Sequence, residues 1–366
     1  MRDLLRRHWR QAVHWMIVGA AVGYLAWRIP GFVTQVARSG DLLAHLDWRW
    51  MTVAILSGLG ALAVYGEMHR QLLLVGGAKL SVPTVQGINI VENAVSSTVP
   101  VVGGAGALAY AIGQLRRRGV DTALASWSVL LAGLIDTLVL VALGALGLGW
   151  AHRMPVALAV VIAVAVAVVA VGGWTVLTHP AVLRRGVHGL LVVSTWIPVG
   201  CQSCRKARGK RVEESAQRLA GRLALLRPGG VRWLVLIALA AISWMLDYLT
   251  LTAVVAAVGL PAPWAVLAVG FLVVQASIAL QVLPGGAGLA ETGLLGVLVT
   301  AGLATAPAAA SVLVYRAISW LGLSMLGWIV YGIWIHTSPV HLHRHTPEVR
   351  AAEVRAPARW QWSTPD

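Results

Sequence analysis

The chain has 366 residues, of which 58% are hydrophobic and 12% are charged, and its mean hydropathy is +0.76. A soluble domain of this length is much less apolar, so the composition predicts an integral membrane protein of the all-α class. The net charge of +15 does not predict nucleic-acid binding, because the basic residues lie in short connections between apolar runs, as the positive-inside rule describes.

The first half of the chain contains four apolar runs close to or above the length of about 20 residues that crosses a bilayer. They cover about residues 12–29, 50–75, 122–150 and 155–177. We interpret the first run as an uncleaved span rather than a signal peptide, since no small-residue cleavage site follows its basic start. Residues 32–50 mix charged and spaced apolar side chains and are predicted to lie at the interface.

Two further apolar segments are interrupted by proline and glycine. The first has halves at about 84–99 and 104–115, each short for a crossing, with the sequence PVVGG at the break. The second runs from residue 261 to 302 around the sequence LPGGAG. Interrupted backbone is tolerated at membrane depth only where protein or a watery cavity covers it. We therefore predict two re-entrant helix pairs whose breaks line a cavity.

The second half also contains two full spans, at about 233–258 and 307–335, which brings the predicted total to about six. The predicted domains are an N-terminal span with its interfacial segment (1–48), a first membrane repeat plus an extra span (49–178), a basic cytoplasmic loop (179–231), a second membrane repeat (232–336) and a disordered cytoplasmic tail (337–366).

Charge predicts the orientation of the spans. Arg2, Arg6, Arg7 and Arg10 precede the first span, which places the N-terminus in the cytoplasm. Counting crossings then places the basic loop and the C-terminal tail on the same side. We expect a multi-pass protein of a bacterial inner membrane.

The two interrupted segments resemble each other. Their shared GGAG sequences align Gly103 with Gly285, and the preceding spans align Trp50 with Trp233. Further aligned pairs are Tyr65 with Tyr248, Gly119 with Gly302 and Ser128 with Ser311. By the crossing count the two units begin on opposite sides of the membrane, which predicts an inverted repeat of the kind found in transporters.

The breaks and the charges near them are the candidate site. A half-helix beginning at Gly103 or Gly285 would expose backbone amides that suit an anion such as a lipid phosphate, and a tight turn between packed helices is the alternative. Arg316 lies inside the last span, with Glu291, Asp136 and Asp247 as possible partners. Its charge fits either an ion pair that locks helices together or a headgroup site. The candidate lipid- or anion-binding residues are Asn93, Pro100, Gly103, Gly104, Gly106, Asp136, Asp247, Pro284, Gly285, Gly286, Gly288, Glu291 and Arg316.

No catalytic or cofactor motif stands out. The sequence lacks GxSxG, HExxH and a phosphate-binding P-loop, so we do not expect an enzyme. Cys201 and Cys204 form an isolated CxxC, and the tail histidines lie in a polar segment, so neither predicts a metal or a cofactor.

The sequence resembles the transmembrane family of lysylphosphatidylglycerol synthase, which includes the flippase half of the bacterial multiple peptide resistance factor. The sequences that carry the resemblance are LLLVGGAKLSVPTVQGINIVENAVSSTVPVVGGAG, LRRRGVDTALASWSVLLAGLIDTL, LQVLPGGAGLAETGLL and SVLVYR. The resemblance implies a lipid translocase fold with two facing re-entrant helices around a cavity. It does not imply lysine transfer, because we find no aminoacyltransferase domain in this chain.

The first unit departs from the family pattern. Family members commonly carry an acid and an arginine after the first Gly-Gly break, where this chain has AGALAYAIGQ, and Glu-Arg where it has Ala132 and Gly133. The expected function is translocation of a phospholipid or a polyprenyl-linked lipid. The alternative is a non-transporting scaffold or regulator of enzymes that act on cell-envelope lipids. The expected partners are membrane lipids, with a homo-oligomer or an envelope enzyme as further possibilities and no nucleic acid.

Overall fold

The computed structural model describes residues 19, 23, 45–99, 103–177, 230–261, 263–280 and 283–337. Its regular structure is helical, and no strand occurs among these residues. The helices are α1 (Trp48–Val75), α2 (Val82–Thr98), α3 (Gly103–Arg117), α4 (Thr122–Trp150), α5 (Val156–Leu177), α6 (Gly230–Ala257), α7 (Trp264–Ala279), α8 (Leu289–Thr300), α9 (Thr305–Arg316) and α10 (Leu323–Thr337). A 3₁₀ turn (Pro284–Gly286) lies between α7 and α8, and a π-helical segment (Ala317–Gly322) joins α9 to α10.

Four helical stretches are long and apolar enough to cross a membrane. They are α1, most of α4, α6, and the continuous stretch from α9 into α10 (Thr305–Ile333). Shorter apolar helices occur in α5 and α7. The protein is therefore a multi-pass membrane protein, whereas the predicted count of six spans stays a prediction. Most of the predicted first span, most of the basic loop and nearly all of the tail lie outside the described residues.

The centre of the bundle is the long contact between α1 and α6. Small side chains recur on one buried face of α1, at Ala54, Ser57, Gly58 and Ala61. The hydroxyl of Ser243 on α6 donates to the backbone carbonyl of Ala61 at 2.9 Å. Lipid tails are as apolar as leucine, so small residues that allow close backbone approach are what favours helix association in a membrane.

Each half of the described chain has the same succession of elements. A long helix, α1 or α6, precedes a broken pair, α2 with α3 or α7 with α8, whose members pack against each other. A glycine with positive φ then ends the second member: Gly119 has φ 84° and Gly302 has φ 90°. A long helical stretch follows in both halves. The prolines and glycines read from the sequence therefore mark real breaks in the helices.

The interior and the outer surface are both apolar. One core lies where α1, α6, α7, α8 and α9 meet and contains Leu251, Phe271, Leu294 and Tyr315. Large apolar side chains on α4 and α5 point outward, as expected of helices that face lipid. The chain separates into two compact units, Met1–Tyr331 and Gly332–Asp366. Of the second unit, the structure describes only the end of α10.

Candidate functional site

The second break is made by three glycines with positive φ. Gly285, Gly286 and Gly288 have φ values of 59°, 67° and 85°. Because an α-helix needs φ near −63°, α8 cannot start before the last of them. The half-helix accordingly begins at Leu289, and the predicted start at Gly285 was wrong. In the first unit, α3 begins at Gly103, as predicted.

The N-terminus of α8 is capped by a side chain of its own first turn. The backbone N–H of Gly288 donates to a carboxylate oxygen of Glu291, which places a negative charge at the positive end of the helix. The prediction of unpaired amides at this helix end was therefore wrong for Gly288. An outside anion could use this amide only by displacing Glu291.

Arg316 lies at the C-terminal end of α9 and is 2% exposed. Its Nε donates to Glu291 Oε1 at 3.0 Å, and its Nη2 donates to the backbone carbonyl of Gly285 at 2.5 Å. Of the three predicted partners, the ion pair is made with Glu291. Arg316 therefore ties the last span to both sides of the second break.

Trp320 extends this arrangement from the second break to the first. Its ring centroid lies 5.2 Å from the guanidinium carbon of Arg316. Its indole N–H donates to the backbone carbonyl of Ser97, in the last turn of α2, at 3.1 Å. The indole also packs against Gly285, where no Cβ would fit. Trp320 belongs to the π-helical segment, a type of irregularity that is frequent at functional sites.

Two further contacts are made by α2, one with the second break and one with α10. The helix α2 packs against the Pro284–Gly286 turn. The indole N–H of Trp328 donates to the hydroxyl of Thr98, the last residue of α2, at 3.1 Å. The last turn of α2, which leads into the first break, therefore meets the second break, with Arg316 and Trp320 at this junction.

The predicted residues of the first break have packing roles. A Cβ at Gly103 would lie 2.5 Å from the carbonyl oxygen of Ser96, and one at Gly106 would lie 3.6 Å from Val95. Gly104 lies in the first turn of α3. The half-buried Asn93 accepts a hydrogen bond from Ser97 through its backbone carbonyl. Pro100 lies outside the described residues.

Of the two predicted aspartates, Asp247 lies near Arg316 without being paired to it. Asp247 on α6 accepts a hydrogen bond from the side-chain amide of Gln275 on α7, at 2.9 Å. Asp136 on α4 accepts the indole N–H of Trp244 through its backbone carbonyl. The two carboxylates are close enough to interact electrostatically, and so are Asp247 and Arg316. Asp247 therefore lies beside Arg316, and Asp136 lies beside Asp247.

Glu92 on α2, which the predicted site does not include, is a fourth acid of the interior. Its Oε2 is buried and has no hydrogen-bond partner among the described residues. The side chain is close enough to interact electrostatically with Tyr65 and Tyr110. The described interior therefore contains more acidic side chains than cations that pair with them; the acids are Glu92, Asp136, Asp247 and Glu291.

Sequence reasoning missed two kinds of contact. Trp320 follows Arg316 by four residues, one helical turn, so its position beside the guanidinium could have been predicted. His69 is buried, with Nδ1 2.9 Å from Asn89 Oδ1 and Nε2 3.3 Å from Ser128 Oγ. These three residues lie on α1, α2 and α4. Each is an isolated polar residue in an apolar helix, so the sequence did not indicate that they contact one another.

The sequence matches a family described as the lysylphosphatidylglycerol synthase TM region, over residues 13–327. A search of curated proteins found no match. The matched region contains both helix breaks, Arg316 and all the helices described above except the end of α10. Because the match covers most of the chain, the protein belongs to the family of the lysylphosphatidylglycerol synthase transmembrane region.

Proposed function

We propose that this protein moves a phospholipid or a polyprenyl-linked lipid across the bacterial inner membrane. Membership of a membrane family named for a lipid synthase is consistent with a lipid-related function. The observation that carries the proposal is the position of Arg316, buried where the end of α2 meets the second break. An arginine at the centre of a membrane costs about 2.5–3.5 kcal/mol on insertion scales, and such residues typically mark the path of a substrate or an ion.

The hydrogen bonds around Arg316 supply a means of binding a phosphate. The guanidinium has five N–H donors, and Glu291 and Gly285 accept from two of its nitrogens. A lipid phosphate would compete with the Glu291 carboxylate for the same charge. Glu291 could then retain its bond to the amide of Gly288 and remain at the N-terminus of α8. The exchange would loosen α9 from the second break.

Glycine contacts support the inverted repeat that this mechanism requires. Gly144 on α4 packs against Leu272 on α7, and Gly327 on α10 packs against Ala94 on α2. The long final helix of each unit thus contacts the first broken helix of the other. Gly144 and Gly327 are separated in sequence by the same interval as Trp50 and Trp233. We infer two units of opposite orientation, with both termini in the cytoplasm, that alternate access to the site between the breaks.

The proposal makes the protein a transporter rather than an enzyme. Proteoliposomes with a fluorescent phospholipid in one leaflet would measure lipid movement. We expect Arg316→Glu to abolish the movement, because it repels both the phosphate and Glu291. Arg70→Gln is the matched control, since Arg70 is also ion-paired within a membrane helix, to Glu67 at 2.6 Å. Full activity of a folded Arg316→Glu protein would refute the headgroup role.

A scaffold or regulator of envelope-lipid enzymes is the second candidate. The observation that favours it is that Arg316 bonds protein groups, while Gly133 occupies the aligned position in the first unit. The positive charge of Arg316 is therefore not repeated in the first unit. This function predicts a stable complex with an envelope enzyme on gentle purification and no lipid movement in proteoliposomes.

A further inference from the structure

A cavity of about 330 Å³ lies away from the helix breaks, between the C-terminal end of α4 and the broken pair α7–α8. Leu148, Val266, Val269 and Val297 form its apolar walls, and Arg153 and Thr300 also line it. Its volume is at the lower end of the range of small-molecule sites. It can therefore hold a part of a lipid but not a whole one.

Arg153 is placed at this cavity by the way α4 ends. The N–H of Arg153 donates to the carbonyl of Leu148 at 3.0 Å, and the N–H of His152 donates to that of Gly149 at 3.1 Å. His152 has φ 52°, the left-handed conformation of a Schellman motif. The backbone of Arg153 is thus fixed by the helix end, while its side chain is exposed.

The charge of Arg153 is unopposed at the cavity. No acidic residue lines the cavity, and in the described ranges the guanidinium has neither an ion pair nor a hydrogen bond. A guanidinium beside apolar walls suits a ligand with an anionic oxygen group and a hydrocarbon part, because guanidinium and phosphate form strong charge-assisted hydrogen bonds.

Exposed tryptophans near the cavity indicate that it lies at the level of the lipid headgroups. Trp150 at the end of α4 is 86% exposed, Trp264 at the start of α7 is 66% exposed, and Trp48 at the start of α1 is 69% exposed. The start of α1 and the end of α6 lie together, since the N–H of Asp47 donates to the carbonyl of Ala257. The exposed tryptophans thus mark one end of the bundle, as aromatic residues do at a membrane interface.

We propose that this cavity binds an anionic phospholipid of the adjacent leaflet. The phosphate of this lipid contacts the guanidinium of Arg153. The part of one acyl chain nearest the headgroup lies against Val266, Val269 and Val297. Free phosphate does not satisfy the apolar walls, so the ligand is a lipid. This site is separate from the junction at Arg316, and its occupancy does not depend on whether the protein moves lipids.

Native mass spectrometry of the full chain in detergent, titrated with phosphatidylglycerol, tests the proposal. We expect Arg153→Gln to bind one phosphatidylglycerol fewer than the wild type. Arg49→Gln is the matched control, because Arg49 is an exposed arginine in the first turn of α1, near the Asp47 contact with Ala257. It should bind as the wild type does. Equal binding by the wild type and Arg153→Gln would overturn the proposal.

Three further measurements distinguish binding in the cavity from attraction to a surface charge alone. Val269→Phe fills the cavity, keeps Arg153 and should also lose the lipid. Retention of the lipid by this variant would show that the cavity does not hold it. Inorganic phosphate at millimolar concentration should not displace the lipid, and displacement would overturn the choice of a lipid over a free anion. In an Arg316→Ala background, Arg153→Gln should still bind one phosphatidylglycerol fewer, whatever the outcome of transport assays, and an unchanged count would overturn the separate site.

Discussion

The packing of Trp320 on Gly285 makes a quantitative prediction for Gly285→Ala. A residue with a Cβ in the left-handed conformation costs about 1–2 kcal/mol. At Gly285, with φ 59°, the new Cβ would also overlap the indole of Trp320. Overpacking of this kind costs about a further 1–3 kcal/mol. We therefore expect Gly285→Ala to lower the free energy of unfolding by about 2–5 kcal/mol.

Gly302→Ala is the control that isolates the contact with the indole. Gly302 has φ 90°, and a Cβ there would meet no atom within 4 Å, so only the conformational cost of about 1–2 kcal/mol applies. Unfolding by sodium dodecyl sulfate in mixed micelles measures both variants. In a Trp320→Leu background, the excess cost of Gly285→Ala should shrink, because the shorter side chain can move away. Equal losses for the two glycine variants would refute the packing of Trp320 on Gly285.

Four further substitutions each test one feature of the structure by the same unfolding assay. Glu291→Gln should destabilise the protein by about 1–3 kcal/mol, because the substitution keeps an acceptor oxygen but removes the negative charge that pairs with Arg316. An unchanged midpoint of unfolding would contradict the ion pair. His69→Leu should cost a similar amount, about 1–3 kcal/mol, since Asn89 loses its buried donor, and Ser128→Ala should cost less. His152→Gly should stabilise by up to about 1 kcal/mol, because glycine accepts φ 52° without strain; destabilisation would argue against the left-handed helix end.

The positions and approximate lengths of the long helices could be predicted, because the length of an apolar run largely decides them. The predicted segment 122–150 coincides with α4, since charged residues bound its apolar run at Asp121 and Arg153. The other spans in the described ranges differ from their predictions by a few residues at the ends. Helix ends depend on capping and local dihedral angles, which the hydrophobic pattern does not contain.

The details of the site depended on three-dimensional contacts. The sequence named three acids as possible partners of Arg316 and left a headgroup site as the alternative. Only the packing of α9 against the second break selects Glu291. The bond between Trp320 and Ser97 joins residues 223 positions apart. Nothing local to either residue predicts it. The start of α8 was also misplaced, because a run of glycines shows where backbone freedom is available and not which φ values are adopted.

The two units share their packing residues but not their charges. Glycines recur at aligned positions in the turns and between the helices, as at Gly119 with Gly302 and Gly144 with Gly327. Small residues that permit close approach are sufficient to associate helices in a membrane, so they are needed in both units whatever the protein does. A buried charge is costly there and persists only where a partner or a function offsets the cost. Since only the second unit carries Arg316, the proposed translocation would use one unit to hold the headgroup. The first unit, through the carbonyl of Ser97 at the end of α2, would form the opposite wall.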